Sequence, residues 1–295
     1  MPWHGSGVAT FVHRRSTQSP FPDGFIQAKK RLGRPEAEIW CLSPPLEADP
    51  EAWHTWRTLL EHLIAHAGAF GIQRLYACLP TQDEAAGLVA ECGFAPYVRE
   101  TLFHLRRSRM PDATLPQAAT IRPQRESDGL ALQRLVDRFT PPVVLKAEDA
   151  HFTNDSVNHT LIFQRWWQLG RSEGLICERE GVVEAALLIE RGSRGVWLHY
   201  LGDPMQREIA DALLTQSLAR LRADDRPIYY SVRAYQGALG ATLRDLGFED
   251  IGELTRFVKH TTVRVQEPAT QKTRLRIETS FPGVISTDMG MPDKS

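Results

Sequence analysis

The sequence predicts an α/β protein on a mixed sheet, with one structural unit used twice. Three observations carry this. Apolar runs of strand length alternate with amphipathic stretches of helical period. The chain repeats itself at a shift of 154 residues, where "AECGFAPYVRETLFHL" from Ala90 answers "RDLGFEDIGELTRFVK" from Arg244. Its 295 residues suit two domains of about 150 residues each.

The shift pairs Gly93 with Gly247, Phe94 with Phe248, Thr101 with Thr255 and Phe103 with Phe257. Upstream it pairs Leu59 and Leu60 with Leu213 and Leu214, Ala65 with Ala219, Tyr76 with Tyr230 and Gln82 with Gln236. Trp40 answers Trp197 at a shift of 157, so the intervening loop is three residues longer in the first copy. Internal repetition of this kind reads as duplicated structure.

In order, the first copy opens with three strand-like runs, "GVATFVHRR", "GFIQAKKRL" and "AEIWCLSP". Trp56, Leu59, Leu60, Leu63, Ile64 and Ala67 then mark one face of a helix. "RLYACL" is a short strand, "DEAAGLVAEC" a helix that closes at Gly93, and the last strand carries Phe103. "RRSRMPDATLPQAAT" is rich in proline, serine and charge and reads as a linker. The second copy begins earlier in the unit. "TIRPQ" is a strand, Ser127 or Asp128 caps the helix "GLALQRLVDRF", and Pro141-Pro142 stops it. An irregular stretch follows, whose Trp166 and Trp167 read as core packing. "GLICEREGVVEAALLIERGSRGVWLHYL" is a three-stranded meander with turns at Glu180-Gly181 and Arg191 to Gly195. Ile209, Leu213, Leu214, Leu218 and Leu221 mark the next helix. "PIYYSV", "GALGATLRDL" ending at Gly247, and the strand with Phe257 complete the copy. The expected domains are residues 1–107, a linker at 108–118, residues 119–265, and a disordered tail at 266–295. The first copy lacks the opening strand and helix. A start upstream of Met1 is the favoured explanation, because half a unit would expose an apolar sheet face.

Hydrophobic residues make up 42% of the chain, enough for a soluble core. The net charge of -1 gives no electrostatic case for nucleic acid or an anionic membrane. The basic clusters Lys29, Lys30, Arg31 and Arg106, Arg107, Arg109 read as solvated loops. Cys41, Cys78, Cys92 and Cys177 are not spaced as CxxC; each sits in an apolar run and reads as a small hydrophobe, so no metal or disulfide framework is expected. No apolar run approaches the roughly 18 residues that span a bilayer, and the first residues do not form a signal peptide, so a cytoplasmic location is expected.

The order strand, helix, meander, helix, strand, helix ending in Gly-Phe, strand resembles the GNAT acyltransferase superfamily. Residues 119–265 match all of it and residues 7–107 all but the first third. Members often read N-x-x-A-x-x-x-Y-x-x-x-G-F at the last helix. Here the second copy offers Gln236, Leu239, Leu243, Gly247 and Phe248, and the first offers Gln82, Ala85, Val89, Gly93 and Phe94. The resemblance implies a tandem protein of two GNAT-like domains, the first partial and non-catalytic. It implies acetyl-CoA or another acyl-CoA as co-substrate, with no metal, and an amine of a small molecule or peptide as acceptor. The oligomeric state is left open.

In that family the pyrophosphate sits on backbone amides between the fourth strand and the next helix, in a sequence like R/Q-x-x-G-x-G/A. A helix N-terminus offers unpaired N–H groups and a partial positive charge. Aligned on Leu213-Leu214, the six positions fall on Met205, Gln206, Arg207, Glu208, Ile209 and Ala210. Ala210 fits the last small position, Glu208 replaces the first glycine, and a shift by one puts Gln206 in the lead. Leu201 and Gln236 complete the implied coenzyme-binding set. In the first copy the same positions are Glu51, Ala52, Trp53, His54, Thr55 and Trp56, and a tryptophan there would fill the phosphate's space. The chemistry needs a base for the ammonium proton, an acid for the leaving thiolate and an amide for the thioester oxygen. Leu198, His199 and Tyr200 stand where that amide and the acceptor contacts would be. His199 or Glu190 is the candidate base. The family's acid, a tyrosine, is Leu243 here and Val89 in the first copy, so Tyr235 is the candidate substitute. The function implied is N-acyl transfer, most simply N-acetyl transfer, by the second copy. The alternative is a catalytically inactive GNAT-like protein that binds a ligand or a protein partner, because both copies lack the glycines and the tyrosine.

Overall fold

The computed structural model describes residues 7–16, 21–31, 34–106, 120–148 and 172–261. The linker at 108–118, Trp166 and Trp167, and the tail from Gln266 lie outside them.

Strands form where β-branched and aromatic side chains alternate with polar ones. In the first copy they are β1 (Val8–His13), β2 (Gly24–Lys30), β3 (Glu36–Ser43), β4 (Arg74–Pro80) and β5 (Ala95–Leu105). Helix α1 (Ala52–Ala69) joins β3 to β4, and α2 (Ala85–Glu91) joins β4 to β5. The second copy contains β6 (Thr120–Pro123), α3 (Gly129–Phe139), α4 (Pro142–Ala147), β7 (Ser172–Arg179), β8 (Val182–Arg191) and β9 (Val196–Gly202). Helix α5 (Arg207–Arg220), β10 (Ile228–Arg233), α6 (Leu239–Asp245) and β11 (Glu249–His260) follow. Gly93 and Gly247 close α2 and α6 at φ +82° and +88°, where a side chain would be strained. Asp128 does not cap α3: its carboxylate takes two bonds from Arg122 and one from the Arg125 amide.

Among the described residues eleven strands form one sheet, ordered β1-β2-β3-β4-β11-β5-β10-β9-β8-β7-β6. The last strand of each copy has crossed into the other. β11 pairs antiparallel with β4 of the first copy, β5 with β10 of the second, and β5 with β11. Glu100 faces Leu254 across the β5–β11 pair, and these are repeat partners at a shift of 154. A pseudo-twofold axis therefore passes between them. The exchange is visible in the cores. Phe257 packs with Ile26, Leu60, Leu63 and Leu75 of the first copy, and Phe103 with Leu198, Leu213, Tyr230 and Leu243 of the second.

The register corrects two repeat pairs: Tyr76 with Tyr230, and Trp40 with Trp197, since Glu38 opposes Tyr76 where Trp197 opposes Tyr229. Phe257 opposes Ala77, whereas Phe103 opposes Tyr230. Tyr230 therefore matches Ala77, and Tyr76 matches Tyr229. The gapless shift slips by one here, and one residue moves a side chain to the other face. The first copy's sheet face opposite α1 is mixed. Val12 and Trp40 are exposed on it, in part the apolar surface expected of half a unit, beside Thr10 bonded to Gln27, Lys29 over the Trp40 ring, and Glu38. Lys29 and Lys30 lie on β2, and Arg31 pairs with Glu36, so this basic cluster is not a loop. All four cysteines are free, and Cys41 is exposed rather than packed.

Polar groups at the crossing are tied together. Glu100 is only 2% exposed. It receives Arg256 at 2.8 Å, Arg233 at 3.3 Å and the Ser231 hydroxyl at 2.8 Å. These residues come from β11 and β10, so one carboxylate holds three strands. Burial pushes its pKa up, but Arg256 and Arg233 outweigh this and hold it below the usual carboxylate range. The stabilisation is thus present above the unfolded glutamate pKa of about 4.3 and is lost as pH falls through the lower folded value. Glu100→Gln should lower unfolding free energy in urea by about 3 kcal/mol at neutral pH, because two arginines lose their shared counter-charge. The deficit relative to wild type should shrink on acidification below pH of about 4.

Candidate functional site

β9 and β10 run parallel but pair only at Val196–Ile228, Trp197–Tyr229 and Leu198–Tyr230. Beyond Leu198 they part, and side chains bridge the gap. The Tyr200 N–H donates to the Tyr230 hydroxyl at 3.1 Å, and the Gln236 side-chain amide donates to the Tyr200 carbonyl at 3.2 Å. Both polar groups of the Tyr200 backbone on the β10 side are thereby engaged. The Tyr200 hydroxyl donates to the Asp203 carbonyl at 3.2 Å, fixing the turn into α5. Burial pushes both phenols well above the usual tyrosine pKa, so both remain protonated donors. Gly202 ends β9 at φ +152°, and a Cβ there would stand 2.8 Å from the Ala185 Cβ and 2.9 Å from the Tyr200 hydroxyl.

The turn points at the start of α5. Asp203 accepts the Met205 amide at 2.9 Å, and Gln206 occupies the N-cap position without a side-chain cap. No side chain caps this 14-residue helix, so the positive end of its dipole is left without a side-chain partner, although the Arg207 and Ile209 amides bond the Met205 and Gln206 carbonyls at 3.0 and 3.1 Å. Ala210 is fully buried with Ile209 beneath this turn, which brings the backbone close to the sheet. Met205 is 77% exposed, and Glu208 is exposed in the first turn. Arg207 forms an exposed ion pair with Asp245 of α6. Such a pair holds within about 1 kcal/mol and is exchangeable for an anion. Leu201 packs beside the α3 cluster of Leu132, Leu135, Ile176 and Ala186. Its side chain therefore serves the core, not the junction.

The candidate bases meet. His199 Nε2 lies 3.7 Å from Glu190 Oε2 on the neighbouring strand. Tyr235 is placed elsewhere, in a 3-10 turn after β10. Its hydroxyl accepts from Arg233 at 3.3 Å, and Arg233 binds Glu148 of the α4 C-terminus at 2.7 Å. Tyr235 also lines a cavity with residues of the first copy. Tyr230, Tyr200 and Gly202 are the residues that shape the gap. Gly202, directly after an apolar strand, was the available signal for a tight exit turn; nothing in the pattern distinguishes Tyr230 from Tyr229.

The corresponding gap in the first copy is filled. β3 and β4 pair only at Glu36–Arg74, Ala37–Leu75 and Glu38–Tyr76. Trp56 is 8% exposed and packs with Leu42, Leu46, Leu79, Ala85 and Leu88. Its indole N–H donates to the Pro44 carbonyl at 2.7 Å, and Thr55 donates to the Pro22 carbonyl at 2.8 Å. In the second copy the matched residue is Ala210, fully buried in the second core.

No protein-family profile matches the chain, and no curated protein matches it in sequence. Solved structures do. A tandem GNAT protein from the clavulanic acid biosynthesis pathway superposes with a TM-score of 0.54 at 13% identity, over 86% of this chain and 82% of that one. A GCN5-related N-acetyltransferase from Sphaerobacter thermophilus gives 0.53 at 15% identity, over 88% and 83%. A protein of unknown function from Staphylococcus epidermidis gives 0.54 at 11% identity, over 80% and 91%. The fold is that of a tandem GNAT protein, with a large mixed sheet and the two copies in series.

Gly202→Ala should cost about 2 kcal/mol of stability in urea unfolding, because its φ is strained for alanine and the added carbon displaces Tyr200.

Proposed function

We propose that the second copy is an acyl-CoA-dependent N-acyltransferase, most simply an N-acetyltransferase, acting on an amine of a small molecule or peptide in the cytoplasm. The observation that supports this best is the uncapped start of α5 directly behind two parted parallel strands. Phosphates there would meet the positive end of the helix, with Arg207 released from Asp245 and the first-turn amides exchanging their backbone carbonyls for phosphate oxygens. Glu208 opposes them as a like charge. Bound there, the thioester supplies the activated acyl group.

The chain's own residues then have defined tasks. His199, held beside Glu190, takes a proton from the acceptor ammonium, directly or through water. The Tyr200 N–H is aimed into the gap, and its present acceptor, the Tyr230 hydroxyl, must rotate away or donate in its place. Leu243 stands in place of the tyrosine that would protonate the thiolate, so positioning carries more of the rate. Among the described residues no helix is long and apolar enough to cross a membrane.

A second reading has its own observation. Tyr230 and Gln236 already satisfy the Tyr200 backbone, as expected of a gap that no longer admits a thioester. Under that reading the protein binds a ligand or partner without catalysis.

Thermal melting with and without acetyl-CoA separates the two. A ligand at 100 times its dissociation constant adds about 2.7 kcal/mol of stability, so melting should rise clearly if the junction binds coenzyme. Glu208→Gln should tighten acetyl-CoA about fivefold by removing roughly 1 kcal/mol of repulsion. Thiol release on a panel of amines should be abolished in His199→Gln with acetyl-CoA binding retained. No melting shift and no thiol release would leave the non-catalytic reading.

A further inference from the structure

A cavity of about 570 Å³ lies between the two halves, where β5 extends beyond the end of β10. Its walls include Ala86 and Ala90 of α2, Phe257 of β11, Val143 and Val144 of α4, and Tyr235. The repeat provides an internal comparison. At a shift of 154, Ala90 corresponds to Arg244 and Phe257 to Phe103. In the second copy the Arg244 guanidinium covers Phe103, 5.3 Å from the ring centre, and reaches towards Asp250 at 3.8 Å. In the first copy the helix offers only the Ala90 methyl at that place, and Pro96 stands for Asp250. Space taken by a side chain in one half is open in the other.

The lining sets the chemistry of the occupant. It is mostly apolar, and Val143 at the rim is 58% exposed. Among the described lining residues none is acidic, and one, the exposed Arg99, is charged. The nearby Glu148 carboxylate is engaged by Arg233 and the Tyr97 hydroxyl. Tyr97 and Tyr235 add aromatic rings. The volume falls within the roughly 300–1,000 Å³ typical of small-molecule sites. We propose that this cavity binds a small organic acid with a planar apolar body. The body lies against Phe257, Val143 and Val144, and the acid group lies on Arg99. The site uses none of the groups at the α5 junction, so it stands whether or not coenzyme binds there.

Two fluorescent probes test it on the full chain: 8-anilinonaphthalene-1-sulfonate, a planar apolar anion, and the uncharged N-phenyl-1-naphthylamine. Both should bind saturably to wild type. Ala90→Arg should abolish both with melting unchanged, since the fold already holds arginine at the repeat-related place. Arg99→Gln should weaken the anion about tenfold, as expected for loss of one charged hydrogen bond, and leave the neutral probe unaffected. Absence of saturable binding to wild type would overturn the proposal, as would Ala90→Arg binding like wild type. If Ala90→Arg fails to fold, Arg99→Gln decides alone: equal effects on both probes, or none, would overturn it.

Discussion

The crossing of β5 and β11 is the constraint on which the rest depends. Each copy lacks a partner for the open edge of its penultimate strand, β4 or β10, until the last strand of the other copy supplies one. Exchange removes two edges at once and makes one sheet of both copies. It also puts Phe103 and Phe257 into each other's cores, so neither core is complete within its own half. Where the strands cross, Glu100 is buried between Arg233 and Arg256, with Ser231 on its second oxygen. A buried carboxylate with two cations is costly to disturb, and here it specifies which strand lies beside which.

Around the axis the two copies have diverged by single side chains with large spatial effect. Trp56 packs between Leu42 of β3 and Leu79 of β4, whereas its counterpart Ala210 is a small residue buried in the second core. Ala77 faces Phe257 where Tyr230 faces Phe103, so only the second copy has a hydroxyl reaching across its parted strands. Arg244 and Ala90 differ in the same way on the last helices. A duplicated fold thus holds one gap lined by backbone polar groups, one plugged by an indole, and one cavity between the halves.

The second copy's junction is organised by backbone as well as side chain. The dipole of α5 persists whatever residues carry its first turn, so Glu208 in place of a glycine does not remove it. Tyr230 and Gln236 bond the Tyr200 backbone in the strand gap, and Arg207 and Glu208 stand exposed at the start of the helix. His199 and Glu190 are together because they lie diagonally on paired strands of one face.

The sequence by itself determined the element order, the duplication and the helix ends at Gly93 and Gly247, because these depend on local period and on glycine's backbone freedom. It also marked Ala210 against Trp56, since residue volume can be compared at matched positions. It did not reveal the strand exchange, because hydrogen bonding between strands leaves the same alternation whichever strand is the neighbour. Nor did it place Tyr230 rather than Tyr229 in the gap: a one-residue slip at β10 preserves the letters of the repeat and reverses the face. Leu201 and Tyr235 look like site residues by position, but only packing assigned the first to the α3 core and the second to Arg233 and the shared cavity. Side-chain direction and strand pairing depend on contacts distant in sequence, and these exist only once the sheet has formed.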